Sequence, residues 1–169
     1  MPKRVFDILL AAIATLFFAL PIAAIAVLVR LTSPGPALYW SDRVGQGNRI
    51  FKMPKFRTMR LGTPAVATHL LDDPHAYLTP VGAFLRKSSL DELPQLWSIW
   101  KGDMSFVGPR PEVQRFVDTY PACSRDKVLS IRPGLTDPAS ILFRNESDIL
   151  DAASDAEREY IENIIPRKL

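Results

Sequence analysis

The stretch Ile8–Val29, ILLAAIATLFFALPIAAIAVLV, runs for 22 residues without a charge. At a rise of about 1.5 Å per residue it reaches roughly 33 Å as a helix, enough to match a hydrocarbon core about 30 Å thick. Pro21 falls near its middle, where it removes a backbone donor and crowds the preceding turn. Lys3 and Arg4 precede the stretch, and Arg30, Arg43 and Arg49 follow it. A crossing helix carries its basic flank on one side, and here both flanks are basic. Two arrangements stay open: a helix-break-helix that turns at Pro21 and leaves by the face it entered, and a kinked crossing. The paired basic flanks favour the first. A cleaved signal peptide fits poorly, because the run exceeds the usual length of about 7–15 residues and no small-x-small site follows.

The 169 residues suit one functional domain, divided into a membrane segment, 1–32, and a cytoplasmic portion, 33–169. The net charge of +3 says less than its arrangement. Arg43 to Arg60 holds six basic residues and no acid, whereas Asn145 to Glu162 holds seven acids and one arginine. A basic block beside an apolar segment suits anionic headgroups or phosphorylated ligands. Nucleic acid is the weaker reading: zinc-finger, helix-turn-helix and RNP patterns are missing, and the apolar segment would have no role. Cys123 is the single cysteine, which excludes an intrachain disulfide and a thiolate zinc cluster. His69 and His75 read as surface residues rather than metal ligands.

Outward from the apolar stretch, Ser33-Pro34-Gly35-Pro36 ends the helix. Ala37–Trp40 and Ile50–Met53 suggest a small hairpin around Gly45–Asn48, followed by a loop or irregular helix over Leu61–Asp73. Val81, Phe84 and Leu85 fit a short helix. Leu90, Leu93, Leu96, Trp97 and Trp100 continue an apolar helical face that Gly102 stops. Glu112–Tyr120 forms another short helix between Pro111 and Pro121. The fold class is mostly α with a small β-hairpin. No Gly-x-Gly-x-x-Gly follows a strand and no Gly-Lys-Ser/Thr occurs, so neither a dinucleotide fold nor a Walker loop is supported. The loop Gly102–Pro111 could present backbone N–H groups and Arg110 to a phosphate, or serve as a rigid connection.

Asp91 and Glu92 are adjacent carboxylates beside the apolar face. Neighbouring helix positions point about 100° apart, so they need not form the close pair of a glycosidase. One could attack or bind metal while the other handles a proton or orients a ligand. The structural alternative is a capping box, in which Ser89 caps and Glu92 reaches back to its N–H. Lys55, Arg57, Arg86, Lys87 and Arg110 surround the pair in sequence. A site with phosphate on both substrates needs several cations to offset charge crowding.

Five stretches in this order resemble the bacterial sugar transferase family, the monotopic polyprenyl-phosphate phosphoglycosyl transferases. They are Lys3-Arg4-Val5-Phe6-Asp7, Lys55-Phe56-Arg57-Thr58-Met59, Leu85 through Leu96 with Ser-Leu-Asp-Glu-Leu-Pro-Gln-Leu, Lys101 through Pro111, and Arg132-Pro133-Gly134-Leu135-Thr136. The resemblance covers nearly all of the chain. It implies a re-entrant helix and amphipathic interfacial helices on the cytoplasmic face of the bacterial inner membrane, in contact with its lipids. It implies transfer of a hexose-1-phosphate from a UDP-sugar donor to undecaprenyl (polyprenyl) phosphate with release of UMP, as an initiating step of glycoconjugate, exopolysaccharide, capsule or O-antigen synthesis. Mg2+ is the implied cofactor, with Asp91 as its ligand and also the nucleophile. Glu92 is the second catalytic carboxylate, and Lys55, Arg57, Arg86, Gln95, Arg110 and Arg144 are the implied substrate and phosphate contacts. No nucleic acid is implied, and a homodimer is compatible with the family.

Three departures set this chain apart. Leu20 stands where relatives often place Ser before the membrane proline, and Leu cannot satisfy a freed backbone group. Asp137-Pro138-Ala139-Ser140, then Phe143-Arg144-Asn145-Glu146, replace the common Gly-Trp-Ala-Gln stretch, which leaves the donor sugar open. The chain ends at Ile165-Pro166-Arg167-Lys168-Leu169, where relatives continue, so a C-terminally short form is expected. That shortness motivates a second reading, a catalytically incomplete membrane adaptor for phosphorylated ligands or anionic lipid.

Overall fold

A computed structural model describes residues 2–64, 74–143 and 145–169. His69, most of the expected loop over 61–73, and Arg144 lie outside the described residues. Helix α1 covers Pro2–Thr32 as one element with Pro21 inside. The expected helix-break-helix is here one helical element that keeps the proline inside it. Proline removes only one N–H, and the Leu, Ile and Ala residues on either side sustain the helix around that gap. Only Asp7, Ala11 and Val29 of this helix are buried, and Leu16, Phe17 and Leu20 are 83%, 74% and 79% exposed.

The described residues fall into two compact units. The first takes in residues 2–41, 52–64 and 74–102, and the second 42–51 and 103–169. Strands β1, Leu38–Val44, and β2, Ile50–Phe56, pair in a two-stranded sheet. They run on past the hairpin expected from sequence, β1 from Trp40 to Val44 and β2 from Met53 to Phe56. A short turn, Gln46–Asn48, joins them, closed by Gly45 N–H donating to Arg49 O at 2.8 Å.

In the first unit, the core gathers Val29, Phe56 and Leu85. Ile22, Ile25 and Ala26 of α1 pack on it beside Val81, Leu90 and Leu93. Full burial of an aliphatic or aromatic side chain of this size stabilises by about 1.5–3 kcal/mol, so this cluster holds the end of α1 against the elements that follow. Those are α2, Gly82–Lys87, a 3-10 helix, Leu90–Gln95, and α3, Leu96–Lys101. The single apolar helix expected over Leu90–Trp100 is thus split, because Pro94 lacks the N–H that a continuous α-helix would use. Leu96 and Ile99 turn inward, while Trp97 and Trp100 are exposed. Gly102, with φ of 91°, ends α3 as expected.

The second unit holds a sheet that the sequence reading missed. Strands β3, Ser105–Val107, and β4, Gly134–Thr136, pair in parallel, with Ser105 opposite Gly134 and Val107 opposite Thr136. Gly108 and Gly134 permit this approach: a Cβ on Gly134 would lie 2.2 Å from Gly108 N, and one on Gly108 would lie 2.4 Å from Arg132 O. The remaining helices are α4 (Gln114–Val117), α5 (Ala122–Leu129), α6 (Pro138–Leu142), α7 (Glu146–Ala152), α8 (Ala156–Glu159) and α9 (Ile165–Lys168), with a π-turn at Tyr160–Ile164. Helix α4 is shorter than the expected Glu112–Tyr120. Phe116, Leu150, Tyr160, Ile164 and Ile165 form the core of this unit, with the Phe116 and Tyr160 rings edge-to-face at 4.8 Å.

Candidate active site

The 3-10 helix Leu90–Gln95 starts from Ser89, whose φ of 55° is left-handed. A non-glycine residue there costs about 1–3 kcal/mol, and such strain concentrates at functional sites. Ser89 makes no side-chain cap. The capping-box alternative for Asp91 and Glu92 is therefore corrected: Glu92 does not reach back but pairs through Oε1 with Lys55 Nζ at 2.8 Å. This pair is well shielded, at 19% and 15% side-chain exposure, so solvent screens it less than a surface pair.

Asp91 is buried. Burial pushes its carboxyl above the ordinary carboxylate range, the Lys55 ammonium pulls it down, the Glu92 charge pushes it up, and the Arg86 guanidinium pulls it down. Burial in turn lowers the Arg86 pKa, against the opposing pull of Asp91. A desolvated carboxylate with two cations acting on it is suited to attack at phosphorus, and perturbed carboxyls of this kind cluster at active sites. Arg86 is itself held by its Nε donating to Thr58 Oγ1 at 2.9 Å. Gln95 is 2% exposed, and its Nε2 has no hydrogen-bond partner. Such a buried donor is destabilising by about 1–3 kcal/mol unless a ligand supplies an acceptor.

The residues expected around the phosphates separate into four fates. Lys55, Arg86 and Gln95 belong to the unit that holds Asp91. Arg57 does too, but its guanidinium is buried and donates to Ser33 Oγ at 2.6 Å, Ser33 O at 2.9 Å and Pro36 O at 2.8 Å. It clamps the turn after α1, and all three of its nitrogens have protein acceptors. Arg110 is exposed in the second unit, one residue beyond the Pro109 carbonyl that accepts Gly134 N–H at 2.9 Å. Arg144 lies outside the described residues. Sequence reasoning missed the part of Thr58, and it read Ser89 as a cap where its backbone is left-handed. The Lys-Phe-Arg-Thr-Met string placed Thr58 near the site, but nothing in it marked the hydroxyl as the partner of Arg86.

Among the described residues, no three His, Cys, Asp or Glu side chains come together as a metal cage. Mg2+ ordinarily keeps several waters and takes one or two carboxylates plus substrate phosphates. Asp91 and Glu92 offer such a partial donor set, which fits a metal that arrives with a diphosphate.

The bacterial sugar transferase family matches residues 1–167. A UDP-N-acetylgalactosamine-undecaprenyl-phosphate N-acetylgalactosaminephosphotransferase of Aeromonas hydrophila is 38% identical over 95% of this chain and 39% of its own length. Exopolysaccharide production protein ExoY of Rhizobium meliloti (strain 1021) is 38% identical over 96% of this chain and 78% of its own. A UDP-glucose:undecaprenyl-phosphate glucose-1-phosphate transferase of Caulobacter vibrioides is 42% identical over 82% of this chain and 53% of its own. The chain thus spans about two fifths of the first relative and about half of the last. With that family matching residues 1–167 and these relatives 38–42% identical, the chain belongs to the bacterial sugar transferase family.

Proposed function

We propose that this chain transfers a hexose-1-phosphate from a UDP-sugar to undecaprenyl phosphate and releases UMP. The observation that carries the reading is the buried Asp91 carboxylate under the combined influence of Lys55, Glu92 and Arg86. An Asp91 oxygen attacks the phosphorus that bears the sugar. The bond from that phosphorus to the bridging oxygen breaks, and its electron pair leaves with UMP. An oxygen of the acceptor phosphate then attacks the same phosphorus and expels the Asp91 carboxylate, so covalent catalysis divides the transfer into two displacements. Lys55 and Arg86 offset charge on the transferring phosphoryl group, and Glu92 keeps Lys55 placed. Mg2+, held by Asp91 with Glu92, would neutralise phosphate charge as a Lewis acid.

The same reading includes a one-sided membrane attachment at the cytoplasmic face of the inner membrane. Both ends of α1 are tied to its own unit. Arg4 donates to Ile99 O at 2.6 Å and Trp100 O at 2.8 Å, Trp100 Nε1 donates to Thr15 Oγ1 at 3.0 Å, and Arg57 holds Ser33 at the other end. A helix crossing the bilayer would carry Arg4 away from α3, whereas a re-entrant one keeps these bonds. Exposed Trp97 and Trp100 suit the headgroup boundary, and the exposed apolar residues of α1 suit the acyl region.

The test is incubation in detergent with Mg2+, undecaprenyl phosphate and a panel of UDP-sugars. UMP release with one donor is expected, and donor alone should leave a phosphosugar adduct on Asp91, mapped by peptide mass. No release from any donor, with an active relative alongside, would overturn the reading and favour a binding adaptor. Cysteines placed at residues 3 and 32, in a chain lacking Cys123, should both label from the cytoplasmic side. Labelling from opposite faces would establish a crossing.

A further inference from the structure

Beyond the end of β2, Thr58 is buried and makes two bonds at once. Its hydroxyl accepts Arg86 Nε at 2.9 Å, and its carbonyl accepts Thr79 N–H at 2.9 Å. That carbonyl also explains why residue 82 is glycine, since a Cβ there would lie 2.1 Å from it. Gly82 opens α2, which carries Arg86 one turn later. Positions four apart share a helix face, so the backbone that lies against the Thr58 carbonyl also delivers Arg86 to the Thr58 hydroxyl.

We propose that Thr58 is a positioning residue whose hydroxyl sets the plane of the Arg86 guanidinium for the phosphoryl group attacked by Asp91. The inference rests on the phosphoglycosyl-transfer reading above. A guanidinium is planar and rigid, so one bond at Nε to a side chain stiff at χ1 orients the terminal nitrogens as well. Bidentate contact with a phosphate depends on that orientation. Thr58 touches no reacting atom and acts through Arg86. Valine at this position would keep the shape and remove the acceptor of the part-buried Arg86 Nε–H. Serine would keep the acceptor.

The experiment is a double-mutant cycle on the full chain in detergent, with the donor found in the panel, using Thr58→Val, Thr58→Ser, Arg86→Lys and Thr58→Val/Arg86→Lys. Thr58→Val should lower kcat by about 10- to 100-fold, the range for a hydrogen bond to a charged group, with donor KM within about 3-fold. Thr58→Ser should return kcat to within about 3-fold of the wild type. With Arg86 already lysine, the valine change should add less than about 2-fold, because its partner is gone. Wild-type kcat in a folded Thr58→Val protein, an undiminished valine effect in the lysine background, or a serine variant as poor as valine would each overturn the proposal. Should the valine variant not fold, Thr58→Ala enters the same cycle. A readout free of turnover separates this idea from the functional reading. The Arg86 Nε–H resonance, assigned by its loss in Arg86→Lys, should be protected from exchange in the wild type and Thr58→Ser but not in Thr58→Val. Protection unchanged by valine would sink the positioning role even in an active enzyme. Protection lost as expected in a chain that releases no UMP would sink the functional reading alone.

Discussion

Two groups of buried polar side chains, one in each unit, are handled in opposite ways. In the second, Tyr160 Oη donates to Glu112 Oε1 at 2.6 Å, Glu112 also meets Arg43 at 3.6 Å, Lys168 pairs with Glu146, and Asp137 caps α6 by accepting Ser140 N–H at 2.8 Å. Donors and acceptors there satisfy one another around an aromatic core. In the first, Gln95 Nε2, Ser98 Oγ and Thr79 Oγ1 are buried without hydrogen-bond partners, and Asp91 is buried against its own charge. Closed networks stabilise a fold, while unmatched buried groups near strained backbone are what a ligand-binding site leaves behind. The difference supports the proposal that places the chemistry in the first unit, with this polar cluster of the second as scaffolding.

The largest test of that division is Asp91→Asn. It keeps the size of the side chain and removes the attacking oxygen, so UMP release should fall by at least about 1000-fold, or roughly 4 kcal/mol in transition-state free energy. Near-normal turnover in a folded preparation, with reversion to Asp excluded by mass, would remove the nucleophile and break the comparison at its centre.

The same substitution should act on stability in the opposite sense. Burial raises the Asp91 pKa in the folded protein, so between the ordinary carboxylate value and the raised one the folded state binds more protons than the unfolded chain. Stability contributed by this group is therefore present at low pH, is lost as pH rises through the folded pKa, and stays level above it. Ligand-free Asp91→Asn should melt higher than the wild type at neutral pH, with the gap closing below about pH 4. A variant that melts lower at neutral pH would show that Asp91 stabilises the fold.

Tyr160→Phe sharpens the other side. It deletes the donor to Glu112 and should lower stability by about 1–2 kcal/mol while leaving turnover within about 3-fold. Burial first, then Glu112, keeps this phenol protonated well above the usual tyrosine range, so no titration should accompany the loss at working pH. A 10-fold fall in kcat would bring this network into the chemistry. Smallest of all, Arg158→Ala removes an exposed pair with Glu162 and should leave the melting temperature unchanged. A drop of several degrees would show that the acidic C-terminal stretch depends on it.

Much of the candidate site could be read from the order of residues alone. Ser-Leu-Asp-Glu-Leu-Pro-Gln-Leu named Asp91, Glu92 and Gln95, and the basic strings named Lys55 and Arg86, because reactive side chains are properties of composition and local spacing. The roles of neighbours were less legible. Arg57 and Lys55 lie two apart in one string, yet Lys55 meets the Glu92 carboxylate and Arg57 is consumed by Ser33 and Pro36. Ser89 offered a capping signature that its left-handed backbone cancelled.

By itself, then, the sequence determined a long apolar helix, a mostly helical chain with one hairpin, and which carboxylates and cations make up the candidate site. These follow from local periodicity, turn residues and side-chain chemistry. Tertiary structure decided which cation faces which carboxylate, that Gly108 and Gly134 bring β3 and β4 together, and that the Thr58 hydroxyl meets Arg86. It also tied Arg4 and Ser33, at opposite ends of one helix, to a single unit. The physical reason is sequence separation. Each of these contacts joins residues more than twenty positions apart, so local propensity is silent about them, and only the packing of particular backbones at close range selects them.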